Sequence, residues 1–535
     1  MRWTTNGLAL TTAATMLAMA QPARAEWIEA TSKHFIVYAN GDADDVREQA
    51  ERLERFDSVV RYFNSIPARE GDGSNKLTVY VVANDVAVRR IFGDRSSRVA
   101  GFYKGRASGS VVYTPARAGG GSANSLQPQI VLFHEYTHHL MLGNTGAAAP
   151  GWLVEGYAEF LSTARFDKDV VWIGAPAQHR AYALLRQRER LSVEQMMGMP
   201  RSRMSPEQVS SLYARGWLLT HYLMIDNTRR DQLIAYLKAV NAGTPNVEAA
   251  RAAFGDLRAL DKALDAYLGR SKLPAYTIPI AQLPAPQVTL RPLRPGEKAM
   301  IDLRMQSDRG VNRTTAQPIL AEALPIGERH ATDPVVQGWL AEMALDAGRY
   351  DLAEAAADRA LAIDPNASQA LVYKAQVHLR RAREAKATDP AVWKEARSWL
   401  LKANKLDPND AFALLLYYSS FGMAGAKATD NAKAALARAH ELVPQDGGLS
   451  YAYATQSLYD GRLDDARTAL RPLAYSAHSG ADNRAARMLA QLDAGKNAAT
   501  AAAVTGSEAD GPVDGGPDGS SVGGGAAPAT PQAGN

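Results

Sequence analysis

Leu126-Gln127-Pro128-Gln129-Ile130-Val131-Leu132-Phe133-His134-Glu135-Tyr136-Thr137-His138-His139-Leu140-Met141 is the stretch on which the reading of this chain turns. Two histidines four residues apart project from one face of a helix, close enough to ligate a single ion. Glu135, beside the first histidine, can reach a water on that ion and act as its general base. Helix signals bracket the pattern: Pro128 suits a first turn, where its missing N–H costs nothing, and Gly143 follows as a stop. Ile130, Val131, Leu132, Phe133, Leu140 and Met141 supply apolar surface to bury. His139 lies about 100° around the helix from His138, so it points off the ligand face.

A bare H-E-x-x-H arises by accident, and a second element is needed. Pro150-Gly151-Trp152-Leu153-Val154-Glu155-Gly156-Tyr157-Ala158-Glu159-Phe160 provides it. Catalytic zinc takes three protein ligands and keeps one position open. A glutamate from a second helix is a standard third ligand, and Glu155 stands 17 residues past His138. Glu159 is one helical turn further on, also faces the site, and is the rival ligand. Together, HEYTH and PGWLVEGYAEF resemble the gluzincin metallopeptidases, in particular the peptidase-MA-like branch with its W-x-x-E-G-x-A pattern. The resemblance spans roughly residues 26 to 270. It implies one zinc ion held by His134, His138 and Glu155, with Glu135 as base. It also favours Glu155 as the ligand and Glu159 as an acceptor for a histidine N–H behind it.

Downstream, Leu212-Tyr213-Ala214-Arg215-Gly216-Trp217 offers a donor for a developing oxyanion, whose charge zinc covers only in part. Gluzincin aminopeptidases use a tyrosine in a Y-x-x-G setting, and the resemblance places Tyr213 in that role. A buried tyrosine anchoring an apolar helix is the plainer alternative. His139 and His221 read as packing or surface histidines. Those aminopeptidases also hold the substrate amine with a glutamate in a G-x-M-E-N stretch. Here Gly109-Ser110-Val111-Val112-Tyr113-Thr114 has no carboxylate. Read as an edge strand open to an added substrate strand, it predicts cleavage of internal bonds.

The chain's start reads as an export signal. Arg2 precedes a weakly apolar 14-residue run, Gly7 to Ala20, and Ala23-Arg24-Ala25 stands before Glu26. A periplasmic or secreted location follows. Cysteine is absent, so stability must come from burial, which 535 residues supply. A net charge of +4 argues for neither nucleic acid nor an anionic membrane as partner. No other run approaches membrane-spanning length, and no integral membrane segment is expected.

Residues 26–115 read as a small α/β layer, with strands at Ser32–Tyr38 and Leu77–Val82 and a helix over about 43–65. Gly101–Tyr103 and Ser110–Tyr113 suit a hairpin. Gly119-Gly120-Gly121 lacks the Gly-Lys-Ser/Thr of a phosphate loop and reads as a connection. Residues 116–272 complete a zinc metallopeptidase domain as its helical catalytic part, 164–272 being mostly helical. Prolines crowd the stretch from Pro274 to Pro295, so 273–332 reads as a semi-rigid connector with short strands at Val288–Leu290 and Ala299–Leu303. Few contacts between the halves are expected from it. Residues 333–495 resemble tetratricopeptide (TPR) repeats: Gly348-Arg349-Tyr350, Ala353, Ala357 and Ala360 precede a closing Pro365, with echoes ending at Pro408 and Pro444. The spacings of 43 and 36 exceed the usual repeat, so longer helices or insertions are implied. Residues 496–535 are mostly Ala, Gly, Pro, Ser and Asp with almost no large apolar side chain to bury, and read as a disordered tail after the signal, peptidase and repeat segments.

The expected fold class is an α+β zincin-like metallopeptidase domain, 26–272, followed by an all-α TPR solenoid. The expected function is an exported zinc peptidase acting on peptide or unfolded protein, with repeats that recruit substrate or a partner protein on their concave face. The alternative is a catalytically silent exported scaffold whose repeats mediate protein–protein interaction.

Overall fold

A computed structural model describes residues 26–495 apart from 69, 98, 118–125, 145–148, 226 and 475–482. The stretches expected to be an export signal, a glycine-rich connection and a disordered tail lie outside the described residues. Among the described residues, nine strands form two sheets. The first contains β1 (Glu26–Thr31), β2 (Phe35–Gly41), β3 (Leu77–Val82), β4 (Phe102–Lys104) and β5 (Val111–Pro115). The second holds β6 (Arg165–Phe166), β7 (Val170–Ile173) and β8 (Tyr276–Pro279), and β9 (Thr289–Pro292) returns to the first. The larger sheet runs β4-β5-β3-β2-β1-β9, with β2, β3 and β5 parallel to one another and the outer strands antiparallel. The stretch 164–272, expected to be mostly helical, is so, and adds the short strands β6 and β7. β5 is an interior strand flanked by β3 and β4, which corrects its reading as the open edge; the three residues of β4 cover it.

The inner strands β3 and β5 are buried on both faces and read as unbroken apolar runs, whereas β1 and β2 alternate in burial. Leu77, Val79, Val81 and Val112 point to one core; Tyr80, Val82, Val111 and Tyr113 point to the other. The first face carries α1 (Ala43–Phe63), with α2 (Asp85–Phe92) at the second. Beneath the first face follow α3 (Pro128–Asn144), α4 (Gly151–Ser162), α5 (Ala181–Leu185), α6 (Val193–Gly198) and α7 (Pro206–Ile225). Then come α8 (Asn227–Asn241), α9 (Asn246–Phe254) and α10 (Leu257–Leu268).

From Pro295 onward the chain is a stack of antiparallel helix pairs. They are α11 (Pro295–Asp308) with α12 (Arg313–Arg329), and α13 (Pro334–Asp346) with α14 (Tyr350–Ile363). Next are α15 (Ser368–Glu384) with α16 (Pro390–Leu406), and α17 (Ala411–Met423) with α18 (Asp430–Leu442). Last stand α19 (Gly447–Tyr459), α20 (Leu463–Ala474) and α21 (Arg484–Asp493). Small residues let the pairs approach: Ala353, Ala356, Ala357 and Ala360 are all fully buried in α14. The long repeat spacing comes from α15 and α16, each 17 residues.

The region 273–332 is more than a connector. Thr289 and Leu290 of the strand expected at Val288–Leu290 fall on β9, but Ala299–Leu303 lies inside α11, where Pro295 occupies the first turn and Glu297 accepts the Arg294 N–H at 2.8 Å. Pro318 and Pro325 both lie within α12, which tolerates them.

The halves are not loosely tethered, contrary to the expectation of few contacts. Tyr38, Tyr80, Tyr113 and Phe102 stack in turn across four neighbouring strands, at centroid spacings of 5.4, 5.3 and 4.5 Å. α11 caps this ladder: Tyr80 donates to Asp308 Oδ2 and Tyr113 to the Met305 carbonyl, at 2.5 and 2.7 Å. Trp339, Leu340, Tyr373 and Val377 of the later helices join the same core. Further along, Asn75 donates to the Asn409 carbonyl at 2.8 Å and Ser74 to Asp407 at 3.1 Å. The stacked helices wrap their own N-terminal layer.

Candidate metal centre

α3 is buried around almost its whole circumference, and the packing explains why. Phe133 stacks on Phe56 of α1 with centroids 3.9 Å apart, and Tyr136 donates to Asp57 at 2.6 Å. Those contacts hold the rear of the helix, so His134, Glu135 and His138 turn towards α4 and α7. α4 and α7 cross at contact distance: a Cβ on Gly156 would lie 2.4 Å from the Gly216 carbonyl oxygen. That crossing sets Glu155 and Tyr213, each close to its glycine in sequence, beside the histidines.

His134 Nε2 and His138 Nε2 are 3.1 Å apart, and Glu155 Oε2 is 3.4 and 3.5 Å from them. A tetrahedral zinc bound at 2.0–2.1 Å spaces its ligand atoms by about 3.3 Å, so these three side chains fit the ion's donor set and dimensions. All three are buried. Glu155 Oε1 accepts from Arg201 at 3.0 Å, which leaves Oε2 as the oxygen facing the histidines.

Glu159 sits behind, not in, the triangle. Its Oε1 lies 3.4 Å from His134 Nδ1, and His179 Nε2 and Arg180 Nε meet Oε2 at 2.7 and 3.1 Å. Burial acts to raise its pKa, but Arg180 and His179 hold it well below the carboxylate range. Both of its oxygens are thus already engaged by His134, His179 and Arg180. For His134, burial opposes charge, yet bonds to Glu155 and Glu159 push it up to about 10.

Glu135 is buried, and neither carboxylate oxygen has a hydrogen-bond partner among the described residues. Burial pushes it up to about 8, with His134 opposing and Glu155 adding. Such a group is costly unless something from outside the chain meets it. Tyr213 is buried, its ring stacked on His134 with centroids 5.9 Å apart and 26° between planes. Arg180 and Arg201 flank that ring at 5.0 and 5.4 Å.

Three neighbours have no signal in the sequence: His179, Arg180 and Arg201. They come from short 3-10 turns, Gln178–Arg180 and Arg201–Arg203, which have no periodicity to read. His139 and His221 stand off the site. His139 stacks on Tyr136 and meets the Tyr103 hydroxyl at 2.9 Å. His221 is buried between the Gly174 carbonyl and the Tyr267 hydroxyl, both at 2.9 Å.

A second group, His34, Glu54 and Asp57, is also tight enough for an ion. Its carboxylates are already engaged: Glu54 by the His34 N–H and imidazole at 2.7 and 2.9 Å, Asp57 by Tyr136 and Arg61 at 2.6 and 2.7 Å. It is an ion-pair brace for the back of α3.

No protein family and no curated protein matches the chain. Solved structures similar to part of the chain include a TPR protein. TTC0263, a thermophilic TPR protein in Thermus thermophilus, is 20% identical, with 38% of this chain and 98% of that chain covered and a TM-score of 0.30. A MamA structure from Desulfovibrio magneticus RS-1 is 18% identical, with 34% and 92% covered and a TM-score of 0.24. The pairing of helices described above stands on its own geometry. Among the described residues, no helix is long and apolar enough to cross a membrane.

Proposed function

We propose that the chain is an exported zinc-dependent peptidase with a built-in helical-repeat array. The observation that carries this reading is the triangle of His134, His138 and Glu155, whose ligand atoms are 3.1–3.5 Å apart beside an otherwise unpartnered Glu135. Zinc, when bound, supplies Lewis acidity that activates water and polarises a carbonyl. Glu135 receives the proton of the attacking water and delivers it to the leaving amine, a task suited to a carboxylate held near neutrality by burial. The Tyr213 hydroxyl donates to the oxyanion, with Arg180 and Arg201 keeping its ring in place. Glu159 Oε1, 3.4 Å from His134 Nδ1, is the nearby carboxylate that would favour a proton on that nitrogen and so leave Nε2 free to face the triangle.

The substrate class is peptide or unfolded protein. The missing carboxylate in Gly109–Thr114 still favours internal bonds, although β5 itself is covered by β4. The test is cleavage of an unfolded protein such as reduced, alkylated casein by the wild type and by Glu135→Gln. Cleavage by the wild type alone is the expected result. Equal rates, or none in either, would remove the enzyme.

A second reading is an exported scaffold without catalysis, in which the repeats mediate protein–protein interaction. Its supporting observation is the stack of helix pairs from Pro295 to Asp493, a form suited to protein contact. Absence of cleavage with intact zinc would select it.

A further inference from the structure

Strand β4 ends the sheet and touches the back of the metal helix. Its Tyr103 hydroxyl lies 2.9 Å from His139 Nδ1, one residue beyond His138. β5 holds β4 on one side only, and the turn that follows it, residues 105–109, rests on the repeats. Ala107 is buried in an apolar cluster with Ala411, Leu415, Val443 and Leu449. Gly105 is packed so closely that a Cβ there would lie 2.7 Å from the Tyr103 hydroxyl oxygen and 2.9 Å from the Gln445 carbonyl.

One carboxylate ties the two parts together. Asp446 Oδ1 accepts the Leu449 N–H at 2.9 Å and caps α19. Asp446 Oδ2 accepts the Ala107 N–H at 2.7 Å. We propose that the repeats take the chain's own β4–β5 turn as their ligand, with Asp446 as the positioning residue that fixes β4 against the metal helix. The repeat face formed by Ala411, Leu415, Val443 and Leu449 is therefore engaged in cis at this point. A protein seeking that face has to displace the turn, and in doing so loosens the strand behind His138. The inference goes beyond the peptidase reading, because it concerns strand and metal retention and needs no turnover.

Asp446→Asn separates the two bonds. Asparagine caps a helix as well as aspartate, so the bond to Leu449 survives. Its amide, however, presents N–H towards the Ala107 N–H, and two donors repel. Gly105→Ala acts on the same contact from the other side. The measurement is hydrogen exchange of the full-length protein with zinc bound, together with the rate of zinc release to a chelator. Expected in both variants is exchange at least tenfold faster over 102–114, unchanged protection of α19, and several-fold faster zinc release. Wild-type exchange over 102–114 in both variants would overturn the proposal. Faster strand exchange with unchanged zinc release would overturn it as well, by confining Asp446 to local structure. A wild type that holds no zinc fails the metal reading before the variants are compared, and strand exchange then decides the clamp alone.

Discussion

Gly156 and Gly216 meet where α4 crosses α7, and there is no room between them for a methyl group. A Cβ on Gly156 would stand 2.4 Å from the Gly216 carbonyl oxygen and 2.7 Å from Thr220 Oγ1; one on Gly216 would stand 3.0 Å from the Trp152 carbonyl. Backbone cannot yield as a side chain does. Gly156→Ala should therefore cost about 3 kcal/mol or more, at the upper end for overpacking, and Gly216→Ala rather less. Because this crossing sets Glu155 and Tyr213, zinc content should fall with stability in Gly156→Ala. Urea unfolding with metal analysis checks both, and a wild-type midpoint in Gly156→Ala would show that the helices slide freely.

Glu159 and Glu155 differ in what they touch, so their variants should differ. Glu155→Ala removes an atom of the triangle and should leave no stoichiometric zinc. Glu159→Gln keeps the shape but loses the charge that His179, Arg180 and His134 share. Its zinc affinity should fall about 10- to 100-fold. Competition with a chelating dye measures both. Loss of the metal in Glu159→Gln with retention in Glu155→Ala would reverse the roles.

Buried His221 supplies a pH dependence. Burial brings its pKa down to about 4, against partial compensation from the Gly174 and Pro274 carbonyls. The neutral ring suits both neighbours, with Nε2–H donating to the Gly174 carbonyl and Nδ1 accepting from Tyr267. A base whose folded pKa is depressed contributes its stability above the unfolded value near 6.5 and loses it as the pH falls towards 4. The loss amounts to about 3 kcal/mol for this one group. An NMR titration of the imidazole should show the ring neutral at pH 5.5; a midpoint near 6.5 would contradict the burial.

Removing the repeats tests how far the two halves depend on each other. The ladder of Tyr38, Tyr80, Tyr113 and Phe102 is roofed by α11 and by residues of α13 and α15. A chain ending at residue 332 uncovers part of that roof and frees the turns at 71–75 and 105–109. It should melt on the order of 10 °C lower than the full chain and bind zinc more weakly. An unchanged melting temperature and zinc affinity would mean the halves fold independently.

The parts of this molecule that are legible in sequence are those with a local period or spacing. HEYTH on one helix and WLVEG on the next can be read because ligand chemistry demands adjacent turns of helix. The repeat helices can be read because alanine, glycine and proline recur in order. The residues behind the ligands cannot: His179, Arg180 and Arg201 reach Glu159, Glu155 and Tyr213 from short turns elsewhere in the chain, where no spacing rule operates. The helix pair at 295–329 is hidden by Pro318 and Pro325, and the strand order, which puts β4 outside β5, is a tertiary choice that local pattern does not carry.

The measurement that bears most directly on the metal centre is zinc analysis of the purified protein with X-ray absorption of the bound ion. Expected is one zinc per chain, with two imidazole nitrogens and a carboxylate oxygen at about 2.0–2.1 Å, abolished in His134→Ala. Purified chain without stoichiometric metal, or zinc that survives His134→Ala, would contradict the assignment of His134, His138 and Glu155.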